Sequence, residues 1–292
     1  MPINTPLNAL LGIRHPILLA PMDVVAGARL TLAVSNAGGF GVLGGGYGEK
    51  AWLEQETGSL KQQARAPFGI GFITWSLSRQ PELLDIALGA RPRAIMLSFG
   101  DPKPFASQIK AAGALLICQV QDEGMAQLAL DSGADILVAQ GTEAGGHGAS
   151  RSTIDIVPAI VDLSAGRVPV VAAGGIADGR GLAAMITLGA SGVLLGTRFY
   201  ASQEAERRKP RSGSAPPRAA APREVSSSTC HGTTSGRHRL PGAAWSTIMR
   251  GAGPAAKLSS CKMQRRSQPN MPRPRPPAIS ILRLSLPAKP LG

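Results

Sequence analysis

The sequence is poor in the residues that mark specialised classes. It has three cysteines in 292 residues, Cys118, Cys230 and Cys261, with no CxxC spacing and no even set for a disulfide framework. Cys118 lies in an apolar run and is expected to be a buried, inert thiol. No apolar run approaches the roughly 18 residues of a membrane span, so no membrane partner is expected. Met1 to Leu11 has no cationic stretch ahead of an apolar one, so the expected location is the cytoplasm. Four histidines are present, and none has a second His, Cys or carboxylate at ligand spacing, so no metal site is expected. Acidic residues run short at one end only: residues 204–292 hold three of them.

That last shortage explains the net charge of +13. Residues 1–203 carry 14 Lys and Arg against 15 Asp and Glu, whereas residues 204–292 carry 17 against 3. Basicity of this size first suggests a nucleic-acid or membrane-surface partner. It is confined to the C-terminal part, where Trp245 is the only aromatic residue. Basic side chains without interleaved aromatics give salt-sensitive, sequence-independent attraction to phosphate. Nucleic-acid binding by this segment is therefore expected to be incidental. Arg, Pro, Ser, Ala and Gly make up 57 of its 89 residues. Such a composition buries too little apolar surface to offset chain entropy, so 204–292 is expected to be a disordered tail.

Residues 1–203 alternate two patterns. Short apolar runs occur at Pro16–Ala20, Phe40–Leu43, Phe68–Ile73, Ala94–Phe99, Ala114–Val120, Asp135–Ala139, Val168–Ala172 and Gly192–Leu195. Amphipathic stretches separate them, at Ala26–Asn36, Ala51–Ala64, Glu82–Ala90, Pro104–Ala112, Gly124–Ser132, Ile154–Leu163 and Gly179–Leu188. Short apolar runs joined by helix-period segments read as buried parallel strands with crossover helices. Eight strands at about 25 residues per unit predict a (β/α)8 TIM barrel in preference to an open sheet.

A barrel enzyme's site lies at the C-terminal ends of its strands. Gly174-Gly175 and Gly196-Thr197 stand there after strands 7 and 8, where barrels commonly hold a phosphate against backbone N–H groups. Gly39-Phe40-Gly41-Val42-Leu43-Gly44 matches GxGxxG, but the apolar strand lies inside the motif instead of before it, so no nicotinamide site is expected. His15 precedes strand 1, at the bottom face, and reads as structural. His147 is the only histidine at a strand C-terminal end, within Gly145-Gly146-His147-Gly148. Imidazole suits proton transfer near neutrality, and His147 is the candidate catalytic residue.

Taken together, five motifs resemble the nitronate monooxygenases, also called 2-nitropropane dioxygenases. They are Ala20-Pro21-Met22, Ser35 to Gly41 (SNAGGFG), Gln140 to His147 (QGTEAGGH), Ala172 to Arg180 (AAGGIADGR) and Leu195 to Phe199 (LGTRF). The resemblance covers residues 5 to about 203. It implies non-covalent FMN, with the flavin ring on the Ala20-Pro21-Met22 turn and Gln119 reaching it. It assigns the phosphate to Gly174, Gly175, Gly196 and Thr197, and adds Gly71, Gly145 and Gly146 to the cofactor-binding set. It makes His147 the partner of the substrate nitro group. The implied reaction is oxidation of a small-molecule alkyl nitronate, or a nitroalkane, with dioxygen to a carbonyl compound and nitrite.

Two departures stand out. Many members have Asn where this chain has Gly71. After Phe199 the family continues into the last barrel helix and a segment over the substrate, whereas this chain turns into the basic tail. Out-of-frame reading of a GC-rich gene gives such a switch, and a frameshift near residue 203 is expected. A barrel without its eighth helix uncovers apolar surface at about 25 cal/mol per Å2, so reduced stability, or an inactive product, is a further expectation. An FMN-dependent NAD(P)H:quinone or enoyl-thioester reductase on the same barrel is the alternative enzyme.

Overall fold

Each apolar run forms a strand because both of its faces are covered. The computed structural model describes residues 3–147 and 150–206. Its strands are β1 (Ile17–Leu19), β2 (Gly41–Gly44), β3 (Phe68–Ile73), β4 (Ala94–Ser98), β5 (Leu115–Val120), β6 (Ile136–Gln140), β7 (Val170–Ala173) and β8 (Gly192–Leu195). All pair in parallel, in the order β1-β8-β7-β6-β5-β4-β3-β2. A parallel bridge between Leu18 and Phe40 joins β1 to β2. There Leu19 N donates to Phe40 O, and Phe40 N to Ile17 O, each at 2.9 Å. The sheet is a TIM barrel with its thinnest seam between β1 and β2.

The expected crossover helices form as α2 (Ala28–Asn36), α3 (Lys50–Gln63), α5 (Glu82–Gly89), α6 (Lys103–Ala111), α7 (Glu123–Asp131), α8 (Thr153–Ser164) and α9 (Gly179–Thr187). Three shorter helices were not expected: α1 (Pro6–Leu11), α4 (Thr74–Leu77) and α10 (Thr197–Tyr200). Four to six residues are too few to display a helical period. Leu7 and Leu11 of α1 are fully buried and pack with Leu18, Phe40, Val42 and Met96 inside the barrel. Strand residues of the other parity, such as Leu43, Ile95, Leu97 and Leu137, pack outward against the helices. Alternate side chains therefore fill the barrel and glue on its helical ring.

The GxGxxG run has β2 inside it, as its pattern predicts. A Cβ at Gly41 would lie 2.1 Å from Thr31 O, so this glycine lets α2 approach the strand. His15 stands just before β1, at the bottom face, and accepts a hydrogen bond from Arg14 Nε at 3.0 Å.

After β8 the described chain makes only α10 and then folds back over α2. The Arg29 guanidinium donates to Gln203 O at 2.6 Å and to Glu204 O at 3.1 Å. Glu206 N donates to Val25 O at 3.1 Å. Ala205 is buried with Leu19, Ala26, Leu30 and Val34. Of the segment expected to be disordered, 204–206 are thus packed, and 207–292 lie outside the described residues. Among the described residues, no helix is long and apolar enough to cross a membrane.

Candidate active site

The strand order brings the sequence-predicted residues to one mouth. Ala20 N donates to Leu195 O at 2.9 Å, which sets the Ala20-Pro21-Met22 turn beside the end of β8. A Cβ at Gly196 would lie 3.6 Å from both Ala20 Cβ and Met22 Sδ. The same turn reaches across to β3, because a Cβ at Gly71 would lie 2.4 Å from Pro21 Cβ. Glycine at 71 is therefore the partner of the Pro21 turn, and an asparagine cannot stand there with the turn in place.

Gly174 and Gly175 follow β7 with φ of 126° and 66°, a region that side chains adopt only under strain. A Cβ at Gly174 would lie 2.4 Å from Thr153 Oγ1. The turn is consequently bare backbone, followed by α9 with Asp178 as its cap, accepting from Arg180 N and Gly181 N. Thr197 opens α10 just after the neighbouring strand, β8. Two positive-φ glycines, a hydroxyl-bearing residue and two helix starts fit the phosphate of a flavin nucleotide.

A ladder of amides crosses the mouth from β4 to β6. Ser98 Oγ donates to Gln119 Oε1 at 3.3 Å, and Gln119 Nε2 donates to Gln140 Oε1 at 2.5 Å. Gln121 Nε2 donates to the same Gln140 oxygen at 3.0 Å and to His147 O at 3.1 Å. Gln140 Nε2 donates to His147 O at 3.3 Å and Gly145 O at 3.5 Å. Gln119 thus spends its amide within the ladder. Gln140, 3% exposed, is its hub, and the sequence-predicted set omits it. Its signal was present: a polar residue ending an apolar strand.

The loop that carries His147 is tied at its base. Thr142 N donates to Arg151 O at 2.8 Å. Glu143 Oε2 accepts from Thr153 N at 2.8 Å and Thr153 Oγ1 at 2.7 Å. Burial raises the Glu143 pKa, but the Thr153 hydrogen bonds outweigh it and hold the carboxyl below the ordinary glutamate range. Arg151 forks onto Asp155 at 2.6 and 3.0 Å and reaches Glu123 at 2.5 Å. Its hydrogen bonds lower both carboxyl pKa values.

At the tip, the exposed His147 ring meets aromatic side chains. The Phe99 ring centroid is 4.6 Å away and the Trp75 centroid 6.4 Å. Tyr47 lies 5.9 Å from Trp75. Nothing in the sequence pattern singles out these three residues, since four separate segments of the chain supply the cluster. Close by, Thr74 is 1% exposed, and its hydroxyl has no hydrogen-bond partner. Gly145 and Gly146 flank His147 with open space around them. Gly148 lies outside the described residues.

The sequence profile of nitronate monooxygenase matches residues 4–87 and 73–211. The chain belongs to the nitronate monooxygenase family. A nitronate monooxygenase of Metarhizium robertsii is 39% identical over 217 residues, covering 65% of this chain and 59% of that one. The (3aS,4S,5R,7aS)-5-hydroxy-7a-methyl-1-oxo-octahydro-1H-indene-4-carboxyl-CoA dehydrogenase of Rhodococcus jostii is 36% identical over 202 residues, covering 69% and 56%. The solved structure of FabK from Thermotoga maritima superposes with a TM-score of 0.65 at 34% identity, covering 70% of this chain and 65% of that one. The chain spans a little over half the length of the curated relatives it matches. The family match ends at residue 211, just inside the basic segment.

Proposed function

We propose that this chain is an FMN-dependent oxidoreductase that converts alkyl nitronates, with dioxygen, to a carbonyl compound and nitrite. The observation that carries the reading is the meeting of His147, the glutamine ladder and the two glycine turns at one barrel mouth, in a chain of the nitronate monooxygenase family. Gly174, Gly175, Gly196 and Thr197 would hold the phosphate. Ala20, Pro21, Met22 and Gly71 would line the ring, with Gln119 at its edge and Gly145 and Gly146 leaving room on the opposite side. FMN, when bound, supplies the electron acceptor for the nitronate and the group that dioxygen reoxidises.

His147 binds the nitro oxygens of the anionic substrate by donating a hydrogen bond. For a neutral nitroalkane, its imidazole takes the proton from the carbon next to nitrogen. Gln121 and Gln140 keep the His147 backbone still while this happens, through the carbonyl they share. The basic segment 204–292 takes no part in the chemistry. Its deletion would lower RNA affinity at low salt and leave no difference at high salt.

A second reading is an FMN-dependent NAD(P)H-driven reductase of a quinone or an enoyl thioester. The likeness to a carboxyl-CoA dehydrogenase supports it. Flavin bleaching separates the two. The purified protein, reconstituted with FMN, is expected to show a flavin band that a nitronate bleaches anaerobically and NADH does not. Rapid bleaching by NADH alone would replace the first reading by the second, and failure to take up FMN would remove both.

A further inference from the structure

Aromatic residues make up 4% of this sequence, yet Trp75 and Phe99 meet one imidazole and Tyr47 continues the row beside Trp75. They come from the loop after β2, the first turn of α4 and the end of β4. Tyr47 and Trp75 are 52% and 39% exposed, so the fold does not use these rings to fill its core. Phe99 has φ of 64°, a conformation rare for a bulky residue and kept only where the surroundings impose it. That conformation sets its ring beside His147. The Arg79 guanidinium lies 5.2 Å from the Trp75 ring centroid and backs this side chain.

A substrate whose reacting end meets His147 has this wall beside it, with Phe99 and Trp75 next to the imidazole and Tyr47 extending the row beyond Trp75. Ring faces and edges replace few of the hydrogen bonds that a charged or hydrophilic substituent makes with water. A planar apolar substituent gains offset or edge-to-face contacts there. We propose that Tyr47, Trp75 and Phe99 form a selecting wall that favours nitronates bearing an aryl or similar planar apolar group over short-chain ones. The inference rests on His147 being the nitronate site, as proposed above.

Phenylacetate and propionate test it, because each carries a planar carboxylate where the phenylmethyl and ethyl nitronates carry their nitro group. Calorimetric titration of the full chain is expected to show phenylacetate binding at least about tenfold tighter than propionate. Trp75→Ala and Tyr47→Ala are each expected to cut that ratio by about two- to tenfold, since generic hydrophobicity of the mouth survives both changes. Oxygen uptake with the two nitronates is expected to show the same order in kcat/KM. No binding of phenylacetate, or a ratio that neither variant moves, overturns the wall. If the preference holds in binding while neither nitronate is oxidised, the wall stands and the oxidation reading fails. If both nitronates are oxidised with equal kcat/KM, the oxidation reading stands and the wall fails.

Discussion

Replacing Gln140 by leucine tests whether the amide ladder holds the mouth together. The side chains are similar in volume, and Gln140 is 3% exposed, so the change removes hydrogen bonds more than packing. Gln119 Nε2 loses its acceptor in a residue only 9% exposed. A buried donor left without a partner costs about 1–3 kcal/mol. Gln121 keeps its bond to His147 O and is near water, so its loss is small. The Gly145 and His147 carbonyls sit in exposed residues, and water replaces the amide there. The expected destabilisation is therefore about 1–3 kcal/mol, nearly all of it at Gln119. Urea unfolding of Gln119→Leu, Gln140→Leu and the double variant reads it directly. Removing both partners strands no donor in the Gln119–Gln140 pair, so the double variant is expected to cost less than the sum of the singles, with a coupling of about 1–2 kcal/mol. Amide exchange in residues 141–147 should quicken in Gln140→Leu. Additive single effects, or a Gln140→Leu protein as stable as the parent, would refute the ladder.

Gly71→Asn is expected to lower the melting temperature and FMN retention, because its Cβ would overlap Pro21. A stabilised, flavin-replete variant would show that the Pro21 turn yields freely. Glu143 has a folded pKa below its ordinary value of 4.5, so it adds stability that is full above that value and is lost as pH falls through the depressed one. Glu143→Gln should flatten the acid limb of a pH–stability curve; an unchanged limb would exclude Glu143 as its source. Burial, reinforced by Asp135 and opposed by Lys110, pushes the Cys118 thiol up to about 12. Peptide mapping after thiol alkylation should find Cys118 unmodified in the native protein and modified in urea, and native modification at neutral pH would contradict its burial.

The barrel was legible in the sequence because its cause is local. A strand buried on both faces must be apolar throughout, and the helix that covers it must be apolar on one face, so eight runs and seven amphipathic stretches declare a parallel α/β architecture without any long-range contact. The glycines of the β7 turn were legible for a similar reason, since few other residues tolerate backbone angles such as those of Gly174 and Gly175. The short helices α1, α4 and α10 were not, because they lack room for a period. The surroundings of His147 escaped for a different reason: Trp75, Phe99, Gln121 and Gln140 are scattered along the chain and become neighbours only when strand order and register are set. The sequence by itself determined the fold, the family and the residue types at each strand end. Only the tertiary structure decided which of those residues face one another, that Gln119 is bound to Gln140, that Gly71 answers Pro21, and that aromatic rings surround the imidazole. Contacts between strand ends depend on how the barrel closes, and no local pattern carries that information.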